Sequence, residues 1–323
     1  MATSGIYAGL LCLFLSSTYS VGAATREAWP ARPLRVVVPF VAGGGVDTVA
    51  RITASRLGAS LGQQVIVDNR PGARGVIGAD LVAKAVPDGY TALVISESLT
   101  VMPFIERGLP FDVRRSFAPV SLLATQPLVL AVHPSVPAPS MKEFITLART
   151  RPGALSYGSG GFGQHLAGEV IKKIAAFDMT HIPYKGGAQA VVDLVGGQLN
   201  AAVLGSSPVI PFARSGKLKV LVVTSKSRSS ALPNVPTLSE AGFDTIDLSQ
   251  WVFMVAPAKV PQELIVRLNS ELAKTLTESD TKERFATAGF ESAPNTPKQL
   301  DAMIAEALDR WSKLMPELHI KPE

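Results

Sequence analysis

The chain is poor in the side chains that most catalytic and metal sites use. Of 323 residues one is cysteine, four are histidine, 7% are aromatic and 18% are charged. Cys12 lies in an apolar N-terminal stretch that reads as a removable leader. The remaining chain is then expected to have no thiol, which excludes disulfides, cysteine nucleophiles and cysteine metal ligands together. His133, His165, His181 and His319 do not fall at metal-ligand spacing, and no H-E-x-x-H occurs. Ser159 lacks the G-x-S-x-G frame, because Tyr157 stands where the first glycine belongs. No phosphate-binding G-x-x-x-x-G-K-S/T is present. Net charge is +5 and the pI about 9.3. Lys and Arg are nevertheless scattered, with no basic block and no basic–aromatic interleaving, so no nucleic-acid partner is expected. The excess is compatible with mild attraction of small acids. After the N-terminus no apolar run reaches membrane-spanning length.

What the chain does have is hydrophobic content, 47%, with 27 glycines and 24 prolines. Its length allows two domains of ordinary size. Ile6 to Leu15 is apolar but too short to span a bilayer, and Val21-Gly22-Ala23-Ala24 offers small residues for cleavage after Ala23 or Ala24. No Lys or Arg precedes Ile6, and large Leu11 before Cys12 argues against a lipoprotein site. Residues 1–24 therefore read as a secretory signal peptide and the product as soluble and exported.

The chain is organised around residues 36–51. Val36-Val37-Val38 is the β-branched run of a strand covered on both faces. Gly43-Gly44-Gly45 is a turn that permits positive φ, expected at Gly44, and close approach of a ligand to the main chain. Asp47 or Thr48 is placed to cap the helix that follows, whose N-terminal amides favour an anion. The strand–turn–helix unit then repeats. Strands are expected at 64–67, 91–96, 117–124, 128–133, 155–157, 180–184, 201–204, 218–224 and 251–256. Asn69 to Gly78 reads as another glycine-rich turn, opening a helix through Ala85, and further helices are expected from 141 to 149, 164 to 176, 188 to 195, 261 to 276 and 297 to 314. Such alternation implies a parallel sheet with helices on both faces. Pro134, Pro137 and Pro139 follow a domain crossover in this reading.

A second glycine turn, Gly158 to Gly163, opens a helix in the later half. Backbone N–H donors from the two turns can clamp a carboxylate between domains. The stretch also matches G-x-G-x-x-G, but Asp178 precedes its strand, and Tyr184-Lys185 stands where the ribose-binding acid belongs. Lys185, at a strand end, is the cation to test first. Arg70 is a further candidate, and Arg74 reads as solvated. His165 reads either as a cleft contact or as a packing residue, and His181 as structural. Asp47 is a general base, a ligand contact or a cap, the cap being favoured by residue type.

At these residues the chain resembles the Bug family, the periplasmic solute-binding proteins of tripartite tricarboxylate transporters. The signatures are Trp29-Pro30; Pro39-Phe40 to Gly43-Gly44-x-x-Asp47 with Ala50-Arg51; Asn69-Arg70-Pro71-Gly72-Ala73-x-Gly75-x-x-Gly78; and Pro87-Asp88-Gly89-Tyr90-Thr91. Tyr157-Gly158-Ser159 to His165-Leu166-Ala167-Gly168-Glu169 and His181-Ile182-Pro183-Tyr184-Lys185-Gly186 follow. Asp193-Leu194, Gly196-Gly197-Gln198 and Leu232-Pro233-x-Val235-Pro236-Thr237 with Glu240-Ala241-Gly242 complete the series. Ala42, Gln189 and Phe253 depart from it, which bears on ligand identity rather than fold. The resemblance implies a two-lobed α/β fold of the type II-like periplasmic binding kind, each lobe a mixed, mostly parallel sheet flanked by helices, joined by two chain crossovers. Lobe I is expected at 25–125 and 226–323, lobe II at 126–225, with hinges near 125–127 and 225–230. It implies a non-enzymatic receptor, without cofactor or metal, that holds a small mono- or dicarboxylate and delivers it to two integral membrane transporter proteins, as a monomer. A sensing subunit for a membrane kinase and a dinucleotide-dependent oxidoreductase are the alternatives. The expected ligand contacts are Phe40, Val41, Gly43, Gly44, Gly45, Asp47 and Ser96 in the first lobe. In the second they are Ser159, Gly160, Gly161, Phe162, Gln164, His165, Lys185, Gly186, Gly205 and Ser206.

Overall fold

The computed structural model describes Met1 and residues 29–184, 186–229, 231–243 and 247–318. The expected leader, Lys185 and His319 lie outside the described residues. The chain builds β1 (Leu34–Val38), α1 (Gly45–Leu61), β2 (Val65–Asn69), α2 (Val76–Ala83), β3 (Thr91–Ser96), α3 (Ser98–Ile105) and β4 (Phe117–Gln126). After Pro127 come β5 (Leu128–Val132), α4 (Met141–Thr150), β6 (Ser156–Ser159), α5 (Phe162–Ala175), β7 (Thr180–Pro183), α6 (Gly187–Val195), β8 (Ala201–Gly205), α7 (Ser206–Arg214) and β9 (Lys219–Val223). The chain then forms β10 (Gln250–Pro257), α8 (Gln262–Thr277), α9 (Ser279–Thr287), β11 (Glu291–Ser292) and α10 (Pro297–Leu314).

Two sheets result, ordered β11-β4-β10-β3-β1-β2 and β7-β6-β8-β5-β9. The first takes strands from both ends of the chain and the second from its middle, so the chain crosses between them twice. β1 is parallel to β2 and β3, and β10 is antiparallel to both β3 and β4. β6 is parallel to β7 and β8, and β5 is antiparallel to β8 and β9.

The local causes are visible. Val36, Val37 and Val38 are fully buried, as a strand covered on both faces requires. Gly62 ends α1 in the left-handed region, its N–H bonded to the Gly58 carbonyl. Ser140 caps α4, and Thr296 with Gln299 forms a capping box ahead of Pro297 on α10. Leu268, Leu272 and Leu276 of α8 are buried and Leu264 half-buried, as their four-residue spacing anticipates. Each fully buried leucine contributes about 1.5–3 kcal/mol.

Several expectations are corrected. Strand β6 runs on through Gly158 and Ser159, so the second glycine turn shrinks to Gly160-Gly161 and α5 begins at Phe162 rather than 164. No loop separates β8 from α7; the helix starts at Ser206. Helices α3 and α9 carry no helical signature of their own. α3 contains Pro103 and is held by burial of Leu99, Val101, Met102 and Ile105, packing against α10. α9 is largely polar and anchors through Phe285 and Thr281.

Candidate functional site

The first glycine turn is fastened from below by Asp47. Its carboxylate accepts from the Gly43 N–H at 2.8 Å, from Arg51 Nε at 2.9 Å and from Asn69 Nδ2 at 2.9 Å. Asn69 also donates to the Phe40 carbonyl. It reaches the turn because β1 and β2 are parallel with Val38 opposite Asn69. Burial pushes the Asp47 carboxyl upward, but the bonds from Arg51, Gly43 and Asn69 and the charge of Arg51 outweigh it and hold it below the ordinary range. Asp47 is thus neither the helix cap nor a free ligand group. The N-cap is Gly44, and Asp47, 2% exposed, sits in the first turn of α1. Gly44 is extended at φ −78°, and the positive φ belongs to Gly43 at 82°. Phe40 is half-buried beside the turn and Val41 is exposed at its tip.

In the second turn the side chains also face inward. Ser159 is buried, its Oγ 2.8 Å from His181 Nε2, and the His181 ring stacks on His165 at 3.7 Å. Burial pushes both imidazoles below their ordinary value, His181 to about 4, where its neighbour His165 adds to the effect. His165 also packs edge-on to Phe162. Gln164 Oε1 accepts from the Gly160 N–H at 2.7 Å. Gly160 packs directly on Gly186 and Gly187; a Cβ there would lie 2.1 Å from the Gly187 nitrogen. Gly168 is required by Tyr157, whose buried ring lies 2.3 Å from where its Cβ would be. Ser206 is buried and donates its N–H to the Pro127 carbonyl, and Ser96 Oγ donates to Ser98 Oγ.

The topology brings the turns to one crevice. β4 runs in the same direction as β3, since both are antiparallel to β10, so Gln126 ends β4 at the edge where Ser96 ends β3. β5 begins at Leu128 opposite Gly205, the last residue of β8. Pro127 alone therefore joins the carboxyl edge of one sheet to the carboxyl edge of the other. Ligands of open α/β sheets bind beyond such edges. Contacts span the gap: Gln126 Nε2 lies 3.9 Å from a Cβ placed on Gly45 and 2.6 Å from one placed on Gly205. Glu97 abuts Gly163, and Ser207 Oγ donates to the Ala288 carbonyl at 2.5 Å.

Helices α1, α5, α6 and α7 all start at these edges. The last three have no acidic residue in the first turn. Among the described residues the amides of Gly44, Gly45 and Val46, and of Phe162 and Gly163, donate to no partner. With each helix-end effect worth roughly 0.3–2 kcal/mol, convergence of several gives a useful anion site. Two residues in the crevice went unread in the sequence, Glu97 and Gln126. Both are buried, and Gln126 Oε1 meets no hydrogen-bond donor among the described residues. Neither lies in a glycine motif, and the only signal was a polar residue ending an apolar strand. Among the described residues no cluster of three or more His, Cys, Asp or Glu can hold a metal, and no helix is long and apolar enough to cross a membrane. A surface depression of about 750 Å3 near Pro103, Phe111 and Leu308 includes neither glycine turn.

Two sheets meeting carboxyl edge to carboxyl edge across two crossovers define a two-lobed periplasmic-type binding protein. Within that class the chain belongs to the tripartite tricarboxylate transporter family receptors, whose profile matches residues 49–320. It is 35% identical to protein BugT of Bordetella pertussis over 317 residues, 96% of each chain. It superposes on periplasmic binding protein BugD with TM-score 0.81 and 30% identity, over 91% of this chain and 100% of that one. Against Rpa4515 of R. palustris, solved with adipate, the values are 0.83 and 32%, over 91% and 100%. The family and these structures are receptors and binding proteins, not enzymes.

Proposed function

We propose that this chain is an exported receptor that captures a small mono- or dicarboxylate between lobe I (residues 25–125 and 226–323) and lobe II (126–225) and delivers it to a membrane transporter of two integral proteins. The observation that carries the reading is the pair of facing sheet edges lined by unpartnered helix-start amides. Main-chain donors suit a carboxylate, and the adipate held by Rpa4515 is of that chemistry. Gly43, Gly44 and Gly45 approach the acid from one side and Gly160, Gly161, Phe162 and Gly186 from the other. Asp47, Gln164 and the Ser159–His181–His165 group hold those main chains in place. A melting-temperature screen of the purified protein against mono- and dicarboxylates, adipate included, tests it. The expected result is a rise with at least one acid; a rise with a neutral sugar and with no acid removes the reading. Co-purification of the membrane partner from cells expressing both tests the delivery step.

A further inference from the structure

We propose that Glu97 is a specificity-determining residue of this crevice, binding as a neutral acid that donates from Oε1 to the captured carboxylate, so that one proton from solvent is taken up with the ligand. The inference rests on the carboxylate-receptor reading. Glu97 follows β3 at the carboxyl edge of the first sheet and is 9% exposed. Its Oε2 accepts from the Trp251 N–H at 3.2 Å. Its Oε1 is turned across the crevice, 2.4 Å from where a Cβ on Gly163 would stand. Gly163 lies in the first turn of α5, whose opening amides have no partner among the described residues. A carboxylate held by those amides therefore lies against Oε1. Two ionised carboxylates in contact disfavour each other, and one of them keeps its proton.

Glu97 is the one placed to keep it. No described Lys, Arg or His pairs with it, and burial, only partly offset by its own N–H and that of Trp251, pushes its carboxyl up to about 7. The charged groups on the elements around it are engaged elsewhere. On α5, Glu169 is bonded to Tyr157 and Lys172, and Lys173 pairs with Glu317 beyond α10. Past α3, Glu106 pairs with Arg74, and ahead of β10 Asp247 accepts from the Ser249 N–H. His165 stacks on His181, and burial holds both imidazoles below their ordinary value. Lys185 lies outside the described residues.

The test is calorimetric titration of wild type and Glu97→Gln with the acids of the screen, adipate included, at about pH 5.5 and 8.5. With a carboxyl at about 7, only the protonated fraction binding, the affinity of wild type is expected to fall about 30-fold from the lower pH to the higher. Glu97→Gln should flatten that profile. Buffers of different ionisation enthalpy at about pH 8 should show wild type taking up close to one proton per acid bound, a count that decides the matter even if the variant fails to fold. A flat wild-type profile, the same slope in Glu97→Gln, or no proton uptake overturns the assignment and leaves carboxylate capture standing. Tighter binding at the higher pH, confined to acids that carry an ammonium group, also overturns it, because ionised Glu97 is then the partner of a cation. Binding of no acid at either pH removes the receptor reading, and this inference with it.

Discussion

An alanine at position 43 meets a backbone at φ 82°, a region that side-chain-bearing residues occupy at a cost of about 1–3 kcal/mol. An alanine at position 44 meets φ −78° and its nearest neighbour, the Val41 carbonyl, at 3.6 Å, an ordinary contact. The two neighbours therefore separate folding from binding. Gly43→Ala is expected to lower stability by about that cost in urea unfolding, and to loosen the bond between the Gly43 N–H and Asp47 that holds the turn. Gly44→Ala should unfold like wild type. If the acid lies close against the Gly44 main chain, as proposed, the added methyl crowds it and Gly44→Ala loses affinity in calorimetry while its unfolding midpoint stays put; unchanged affinity would show that the acid does not approach the Gly44 α-carbon.

Among the elements, the second turn is built by two loops of one lobe pressed together. A Cβ on Gly160 would stand 2.1 Å from the nitrogen and 2.4 Å from the Cα of Gly187, both main-chain atoms that cannot swing aside. Gly160→Ala must part the start of α5 from the start of α6, and overpacking of this kind costs about 1–3 kcal/mol. A lowered melting temperature with weakened acid binding is expected; a variant that melts and binds like wild type would show the loops to be independent. Much at this scale was legible in the residues. The Val36–Val38 run, the glycine turns and the spacing of Leu268, Leu272 and Leu276 each carry a local period or a special backbone. What could not be read is set by tertiary contact. α3 and α9 are helical because Met102 and Phe285 find partners distant in sequence. Ser159 turns inward because β7 brings His181 alongside β6. Asp47 serves the turn rather than the helix because β2 delivers Asn69 beside it. Glu97 and Gln126 enter the crevice only because the two sheet edges face each other.

For the whole molecule, the chain joins the sheets by two paths, Pro127 and the stretch that follows Val223, and the closure that goes with the proposed capture is a hinge rotation about them. The closed arrangement needs contacts that exist only when the edges meet. Ser207 supplies one: at the start of α7 in the second lobe, it donates to the Ala288 carbonyl at the end of α9 in the first, and it packs on Gly289. Gly289, at φ 77°, leaves the space that the serine fills. A hydrogen bond of this kind nets about 0.5–1.5 kcal/mol. If the acid selects the closed form, its apparent affinity scales with the fraction of molecules that are closed. Ser207→Ala touches neither glycine turn, yet it should weaken acid binding by about two- to tenfold, mostly through faster release. In solution scattering the unliganded variant should be more extended than wild type, and saturating acid should bring the two to the same dimensions. Equal affinity and equal dimensions in wild type and Ser207→Ala would mean that the lobes do not part there, and the hinge would have to be sought elsewhere in the chain.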